Sequence, residues 1–183
     1  MDTIIDIKGL TKQYPMGNNR FTALRDISIS FAKGEFTGII GPSGSGKTTL
    51  LNIIGTLDVP SEGEVLLLGR SVGKLSPKEA ADLRKKSLGF IFQTYNLLPV
   101  YTVYENVEFP LLLLGLTEGM RRKMVMEALD WVGLASRADS RPSRLSGGEC
   151  QRVAIARAMV KKPILVLADE PTANLDAANS HHI

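Results

Sequence analysis

The chain has 183 residues, of which 44% are hydrophobic and 22% charged, with a formal net charge of +3. This length allows one well-cored domain, and the ordinary composition argues against a disordered or fibrous protein. The excess positive charge is scattered in short pairs and triplets of Lys and Arg, so we expect solvated helix faces and no nucleic-acid partner. A single cysteine, Cys150, excludes an internal disulfide and fits a reducing compartment.

No segment is typical of a signal peptide or a membrane span. The opening "MDTIIDIKGL" lacks the basic start and long apolar run of a signal peptide. The longest apolar run, residues 109–116, is much shorter than the roughly 18–20 residues that a spanning helix needs. We therefore expect a chain that does not cross a bilayer but that can lie against one through a partner.

The first third of the chain predicts strands and turns. Alternation of apolar and polar residues predicts strands in "IIDIKGL" and "FTALRDISISF", and Lys33-Gly34 predicts a turn into a further strand at residues 35–40, "EFTGII". Another strand is predicted at residues 64–69. Ser76-Pro77-Lys78-Glu79 combines an N-cap, a first-turn proline and a capping-box glutamate, so a helix should begin there.

The remainder predicts helices enclosed by two short strands. "LGFIFQ", residues 88–93, is a candidate buried strand, and "ILVLADE", after Pro163, is an unbroken apolar strand that ends in two acids. From about residue 100 to 140 the apolar residues recur with a helical period. One predicted apolar face consists of Met124, Ala128, Trp131 and Val132. Alternating strands and helices predict an α/β fold around a mostly parallel sheet.

The segment "GPSGSGKTT" fits the pattern G-x-x-x-x-G-K-[ST] between a predicted strand and a helix. Its glycines allow backbone N–H groups to surround phosphate oxygens, and the helix N-terminus adds the positive end of its dipole. Lys47 would reach the β- and γ-phosphates, and the Thr48 hydroxyl would hold Mg²⁺. A chance Gly/Ser-rich loop is the alternative, which the flanking elements disfavour. The expected phosphate-binding residues are Gly41, Pro42, Ser43, Gly44, Ser45, Gly46, Lys47, Thr48 and Thr49.

Two acids and a second glycine motif extend this hypothesis. Asp169, at the end of a buried strand, can hold Mg²⁺, and Glu170 can polarise an attacking water. The alternative is that the two acids only expose a charged strand end to solvent. That interpretation would be the better one if the phosphate loop were not upstream. In "LSGGE", Ser146 and Glu149 predict a capping box, and the paired glycines allow close approach to the backbone. Such a helix N-terminus can clamp an anion.

The motifs "GPSGSGKTT", "FIFQ", "LSGGE", "ILVLADE" and "NLD" resemble, in order and spacing, those of ATP-binding-cassette (ABC) ATPases, over essentially the whole chain. The resemblance implies a RecA-like P-loop NTPase core with a mostly parallel sheet, an N-terminal antiparallel β subdomain and an inserted α-helical subdomain at about residues 94–145, all in one nucleotide-binding domain over 1–183. It implies ATP and Mg²⁺ as ligands. It also implies a homodimer in which Ser146, Gly147 and Gly148 contact the γ-phosphate of ATP bound to the other copy.

The resemblance implies further site residues, each matched to the family at its own position. Tyr14 matches the aromatic residue that stacks on adenine, with an ordinary core or turn tyrosine as the alternative. Gln93 matches the glutamine that reaches Mg²⁺ and the attacking water, and Asp176 matches a loop that touches the opposite subunit. The implied catalytic residues are Glu170, Lys47 and Gln93. The implied metal ligands are Thr48, Gln93 and Asp169, and the remaining nucleotide contacts include Glu149.

The sequence departs from the family pattern in two places. The family signature ends in Gln, whereas this one has Glu149 followed by Cys150; the cap tolerates Glu, although its charge is less favourable near a nucleotide. The family also has a histidine beyond the second acid that contacts the γ-phosphate. His181 and His182 lie too close to Glu170 in sequence to replace it, which predicts a C-terminally truncated chain whose turnover is in doubt.

The stretches "YPMG" and "FQTYNLLPVYTVYENVEFPLLLLG" look like those of the lipoprotein-releasing and macrolide-exporting branch. This implies a cytoplasmic ATPase, peripheral on the inner face of the cell membrane, that drives an integral permease. Tyr95, Tyr101 and Tyr104 would line a groove that receives a helix of the permease. The alternative is that these tyrosines are ordinary core residues. Two alternatives stay open. One is a nucleotide-gated scaffold that binds ATP and a membrane partner without efficient hydrolysis. The other is a non-transport ABC ATPase, which the lack of heptads or a second cassette disfavours.

Overall fold

The computed structural model describes residues 2–172, and the chain divides into two compact units, Met1–Asp82 and Leu83–Ile183. The strands are β1 (Thr3–Met16), β2 (Asn19–Ala32), β3 (Glu62–Leu67), β4 (Arg70–Ser71), β5 (Leu88–Ile91) and β6 (Leu165–Ala168). The α-helices are α1 (Lys47–Ile54), α2 (Pro77–Ser87), α3 (Val103–Leu112), α4 (Glu118–Trp131) and α5 (Gly147–Met159). Three short 3₁₀ helices cover Val72–Lys74, Ala135–Arg137 and Pro142–Arg144. The predicted organisation as a single domain stays a prediction.

The first unit is built on an antiparallel sheet with the strand order β2-β1-β3-β4. The predicted alternation along β1 holds: Ile5 and Ile7 are buried, and Leu10 continues the core beyond a register shift. At the far end of the β1–β2 hairpin, Tyr14 lies directly opposite Phe21. Two residues directly opposite each other project to the same face of an antiparallel pair, so Tyr14 and Phe21 share a face.

The strand predicted at residues 35–40 is wrong for this structure. These residues form no strand, and Phe36 and Ile40 have exposed fractions of 101% and 98%. Within residues 2–172 no strand pairs with them. An extended segment becomes a strand only when a neighbour accepts and donates its backbone hydrogen bonds. The apolar pattern indicates the β propensity of the segment, but it does not show whether another strand lies beside it.

The second unit places β5 and β6 side by side as a parallel pair, with Gly89 opposite Val166. Helix α5 packs closely on β5 at Gly89. A Cβ at this position would lie only 2.7 Å from the carbonyl oxygen of Ala158, so the close packing requires glycine. Helices α3, α4 and α5 enclose an apolar cluster of fully or nearly fully buried side chains. Its buried members are Val103, Val107, Leu111, Val125, Leu129, Leu134, Val153, Ala156 and Val160.

The apolar face predicted for α4 is rotated by about one residue. Val125 and Leu129 are completely buried, whereas Trp131 has an exposed fraction of 66%. Met124 and Ala128 are only partly buried at the edge of the cluster. Two adjacent columns of this helix are apolar, so periodicity alone could not decide which column faces α3 and α5.

Helix starts follow the local signals in the sequence. At the start of α2, the Glu79 carboxylate accepts a hydrogen bond from the Ser76 N–H at 2.9 Å, and the Ser76 hydroxyl accepts one from the Glu79 N–H at 3.3 Å. The predicted capping box is therefore confirmed. An equivalent box, not anticipated, begins α3 at Thr102 and Glu105. Among the helices that the structure describes, each is too short or too polar to span a bilayer.

Candidate functional site

The loop before α1 has the geometry of a phosphate cradle. Its last residue, Gly46, is the N-cap of α1 with φ 93°, and Gly44 has φ 78°. A Cβ on Gly46 would lie 2.7 Å from both the Ala23 carbonyl oxygen and a methyl carbon of Leu24. Both the left-handed backbone and the close approach to β2 therefore require glycine at this position.

The lysine of the loop folds back over it. Lys47 Nζ donates hydrogen bonds to the carbonyl oxygens of Gly41 at 2.8 Å and Pro42 at 3.1 Å. No side chain caps α1 at Gly46, and its first turn contains no acidic residue. The backbone N–H groups at this helix N-terminus thus keep a positive potential that no local carboxylate neutralises. The arrangement can bind an anionic group of phosphate size.

Tyr14 is anchored beside this loop. Its hydroxyl donates a hydrogen bond to Asp58 Oδ2 at 2.8 Å and accepts one from the Thr49 side chain. Burial, followed by the bond to Asp58, raises the pKa of Tyr14, so the hydroxyl stays protonated at neutral pH. The contact with Thr49 fixes the ring relative to the first turn of α1, as a residue that stacks on a bound base would require.

Gln93, the residue expected to reach Mg²⁺ and the attacking water, is exposed and lies two positions after β5. Just beyond it, Tyr95 and Asn96 both adopt left-handed backbone conformations, with φ values of 57° and 50°. Arg157 of α5 donates to the carbonyl oxygens of both residues, at 2.6 Å each. Burial lowers the pKa of Arg157, but a guanidinium stays charged in proteins. The only signal for this clamp in the sequence is an arginine among the apolar residues of a predicted helix.

Asp169 and Glu170 lie at the same end of the β5–β6 pair. The Asp169 N–H donates a hydrogen bond to the Ile91 carbonyl at 2.9 Å, which extends the parallel ladder by one bond. The carboxyl ends of both strands meet here, so Gln93 and the two acids emerge at one edge. Glu170 has φ 46°, a left-handed conformation that a non-glycine residue rarely adopts. Such outliers concentrate at functional sites.

The second glycine motif forms the N-terminus of α5. The Ser146 hydroxyl accepts from the Glu149 N–H at 3.2 Å, and Glu149 Oε2 accepts from the Ser146 N–H at 2.8 Å, which confirms the predicted capping box. The backbone hydrogen bond from Ser146 is the main cause that lowers the pKa of Glu149. Ser146 and Gly147 are exposed, whereas Gly148 is buried. The exposed positions leave the helix N-terminus open to an anion.

Cys150 follows this motif without the environment of a reactive thiol. It is half-buried, and its Sγ lies 3.7 Å from the Pro142 carbonyl oxygen. Burial raises the pKa of Cys150, and the charge of Glu149 adds to that shift. A reactive cysteine needs a lowered pKa and neighbouring positive charge. The thiol therefore remains protonated at neutral pH.

One family profile, described as ABC transporter, matches residues 24–173, a range that contains both glycine motifs and the acid pair. The chain belongs to the ABC transporter family. An uncharacterized ABC transporter ATP-binding protein of Thermotoga maritima is 45% identical over all of this chain and 78% of its own length. The lipoprotein-releasing system ATP-binding protein LolD of Pseudoalteromonas translucida is 48% identical over 98% of this chain and 77% of its own.

Relatives and solved structures agree on an ATPase cassette. The macrolide export ATP-binding/permease protein MacB of Chlorobaculum tepidum is 46% identical over 98% of this chain, which corresponds to 28% of that longer protein. The dimeric bacterial ABC transporter cassette MJ0796 superposes with a TM-score of 0.91 at 43% identity, over 98% of this chain and 79% of the cassette. The α/β P-loop fold and the ABC ATPase assignment made from sequence are confirmed, and the chain is an ATP-binding subunit of the LolD and MacB type.

The structure distributes the expected site residues of the family between the two units. The phosphate loop and Tyr14 belong to the first unit, and Gln93, the acid pair and the signature belong to the second. Asp176, His181 and His182 lie outside the described residues. Of the three tyrosines considered for a permease groove, Tyr104 packs partly buried against the helical core, whereas Tyr101 has an exposed fraction of 38%. Their proposed role in the groove stays a prediction.

Proposed function

We propose that this ABC ATPase binds Mg-ATP between two copies of itself and hydrolyses it to drive an integral membrane permease in export or lipoprotein release. The observation that carries the proposal is the glycine loop at residues 41–46, which ends in an uncapped helix N-terminus with Lys47 folded over it. The names of the relatives LolD and MacB support the coupling to a permease. Such an ATPase would be peripheral on the inner, cytoplasmic face of the cell membrane.

The nucleotide would be held by its phosphates and its base. Backbone N–H groups of residues 43–49 would surround the β- and γ-phosphates, and Lys47 would exchange its carbonyl partners for phosphate oxygens. Tyr14 would stack on the adenine. The left-handed glycines of the loop support this role, since their backbone can approach phosphate without a side chain in the way.

The residues assigned to Mg²⁺ suit that ion. Thr48, Gln93 and Asp169 offer a hydroxyl, an amide oxygen and a carboxylate, all hard oxygen donors. Within residues 2–172 no cluster of three or more His, Cys, Asp or Glu side chains forms a dedicated cage. Mg²⁺ commonly uses one or two carboxylates together with phosphate oxygens and water, so this donor set fits it. When bound, the ion would neutralise charge that develops on the transferred phosphoryl group.

Hydrolysis would use the edge where β5 and β6 end. Glu170 would polarise the attacking water and Gln93 would orient it, while Lys47 would stabilise the γ-phosphate charge. Ser146, Gly147 and Gly148 of the second copy would clamp the same phosphate. The open N-terminus of α5 and the dimeric state of the related cassette MJ0796 support this shared site.

The test is Lys47→Ala, measured by calorimetric titration with Mg-ATP and by phosphate release. We expect affinity or turnover to fall at least tenfold, because the substitution removes a positive charge from the phosphates. Lys74→Ala, which changes an exposed lysine outside the site, is the matched control. Unchanged affinity and turnover in Lys47→Ala would refute the proposal. Binding without turnover in the wild type would favour the nucleotide-gated scaffold instead.

A further inference from the structure

A cluster in the first unit surrounds Asp58, which lies in the segment after α1. Asp58 Oδ1 accepts hydrogen bonds from Lys12 Nζ at 2.6 Å and from the Val59 N–H at 2.7 Å, while Oδ2 accepts from the Tyr14 hydroxyl at 2.8 Å. Lys12 Nζ also donates to the Val59 carbonyl at 2.8 Å. Both carboxylate oxygens are therefore engaged, and the cluster joins the strand that carries Tyr14 to the segment that follows the phosphate-loop helix.

The ion pair in this cluster is largely removed from water. The exposed fractions of the side chains are 9% for Lys12 and 26% for Asp58. Burial alone would raise the pKa of Asp58, but hydrogen bonds from Lys12, Tyr14 and the Val59 N–H outweigh it and hold the pKa below its usual value. A charged pair at such a depth gains little net stability over apolar side chains of similar size. Its geometry is therefore better explained by what it holds in place.

What the pair holds is the Tyr14 ring. Lys12 Nζ lies over the ring, 4.9 Å from its centroid and within the range of a cation–π contact. The hydroxyl is fixed at the same time by Asp58 and by Thr49 of α1. With the ammonium over the ring and the hydroxyl held twice, the ring has little rotational freedom left to lose when a ligand binds.

We propose that Asp58 and Lys12 are positioning residues that pre-organise Tyr14 as a stacking platform for a purine base. The inference rests on the proposed ATP binding, and it assigns part of the affinity for the base to two residues that touch neither base nor phosphate. Asp58 acts through the Tyr14 hydroxyl. Lys12 acts by fixing the carboxylate and by contact with the ring.

The experiment compares Mg-ATP with inorganic triphosphate, which the phosphate loop can hold but which offers no base to Tyr14. Asp58→Ala should raise the Kd for Mg-ATP about tenfold, within the range that loss of one aromatic–base stack gives, and leave the Kd for triphosphate unchanged. In a Tyr14→Ala background, Asp58→Ala should have no further effect on either ligand. Asp6→Ala, which breaks the more exposed Asp6–Lys8 pair of the same sheet, is the matched control.

Three results would overturn the inference: an unchanged Kd for Mg-ATP in Asp58→Ala, an equal loss for both ligands, or an effect that persists without the Tyr14 ring. If Asp58→Ala does not fold, Tyr14→Phe replaces it, since this variant keeps the ring and removes the anchored hydroxyl. It should weaken Mg-ATP about threefold and spare triphosphate; wild-type affinity there would also overturn the inference. A wild type that binds neither ligand would refute the proposed function, and the inference with it.

Discussion

Arg157 offers a sharp test of how the loop after Gln93 is held. The guanidinium donates two hydrogen bonds of 2.6 Å to the carbonyls of Tyr95 and Asn96, both of which are in left-handed conformations. Arg157→Lys keeps the positive charge but replaces the planar guanidinium, which donates from two nitrogen atoms, with a single ammonium group. At least one of the two hydrogen bonds should therefore be lost. Hydrogen bonds to charged groups contribute about 1.5–3 kcal/mol each. The lower end of that range corresponds to about a tenfold change in rate.

We therefore expect kcat for ATP hydrolysis to fall about tenfold in Arg157→Lys, while KM for ATP changes less than twofold. The reason is that the expected nucleotide anchors, Lys47 and Tyr14, belong to the first unit, whereas Arg157 and the loop that it holds belong to the second. Phosphate release at saturating Mg-ATP gives kcat, and hydrogen exchange at the amides of residues 93–96 reports the loop. Arg122→Lys, an exposed arginine on α4, is the matched control.

Two outcomes would contradict this reasoning. One is a wild-type kcat together with unchanged exchange at residues 93–96, which would mean that the two hydrogen bonds do not hold the loop. The other is a lower melting temperature with kcat per folded molecule unchanged, since that pattern belongs to a residue that only stabilises the fold. A wild type without ATPase activity leaves the exchange measurement as the deciding test of the clamp.

Three further predictions concern other positions. Gly46→Ala should weaken binding of inorganic triphosphate at least tenfold by calorimetry, because its Cβ would collide with the Ala23 carbonyl; unchanged binding would contradict the cradle geometry. Gln151→Met should raise the free energy of unfolding by about 1–3 kcal/mol in urea titrations, since the buried amide has no hydrogen-bond partner within residues 2–172; a decrease would show that the amide is satisfied. Burial lowers the pKa of Lys161 to about 8, so folding disfavours its charged form. The free energy of unfolding, and the melting temperature with it, should therefore rise between about pH 8 and the unfolded pKa of 10.5. Lys161→Met should abolish that rise.

The parts of the site that could be predicted from sequence are those whose chemistry is local. A phosphate loop needs glycines and a lysine at fixed spacing before a helix, and a capping box needs only residues three positions apart. The structure accordingly confirms both the Ser76 and the Ser146 helix starts. The acid pair at the end of β6 was found for the same reason, since an apolar run that stops at two carboxylates is visible in one short window.

The parts that could not be predicted depend on which elements become neighbours. Lys12 and Asp58 are 46 positions apart, and Arg157 is 62 positions from Tyr95. No single-sequence pattern pairs such residues. One weak signal existed for Lys12: it stands two residues after Leu10 on β1, where an inward-facing side chain is expected, and a buried lysine requires a partner. The strand predicted at residues 35–40 is wrong for a related reason, because strand formation depends on a partner elsewhere in the chain.

The signature motif shows how a departure from the family pattern acquires a physical explanation. A glutamate in place of glutamine suggested a negative charge close to bound nucleotide. In the structure, Glu149 Oε2 accepts the Ser146 N–H, and Glu149 Oε1 lies 3.5 Å from Arg137 Nε. The carboxylate is thus balanced by the positive end of α5 and by one guanidinium. Any penalty to anion binding should therefore depend on Arg137 as much as on the formal charge of Glu149.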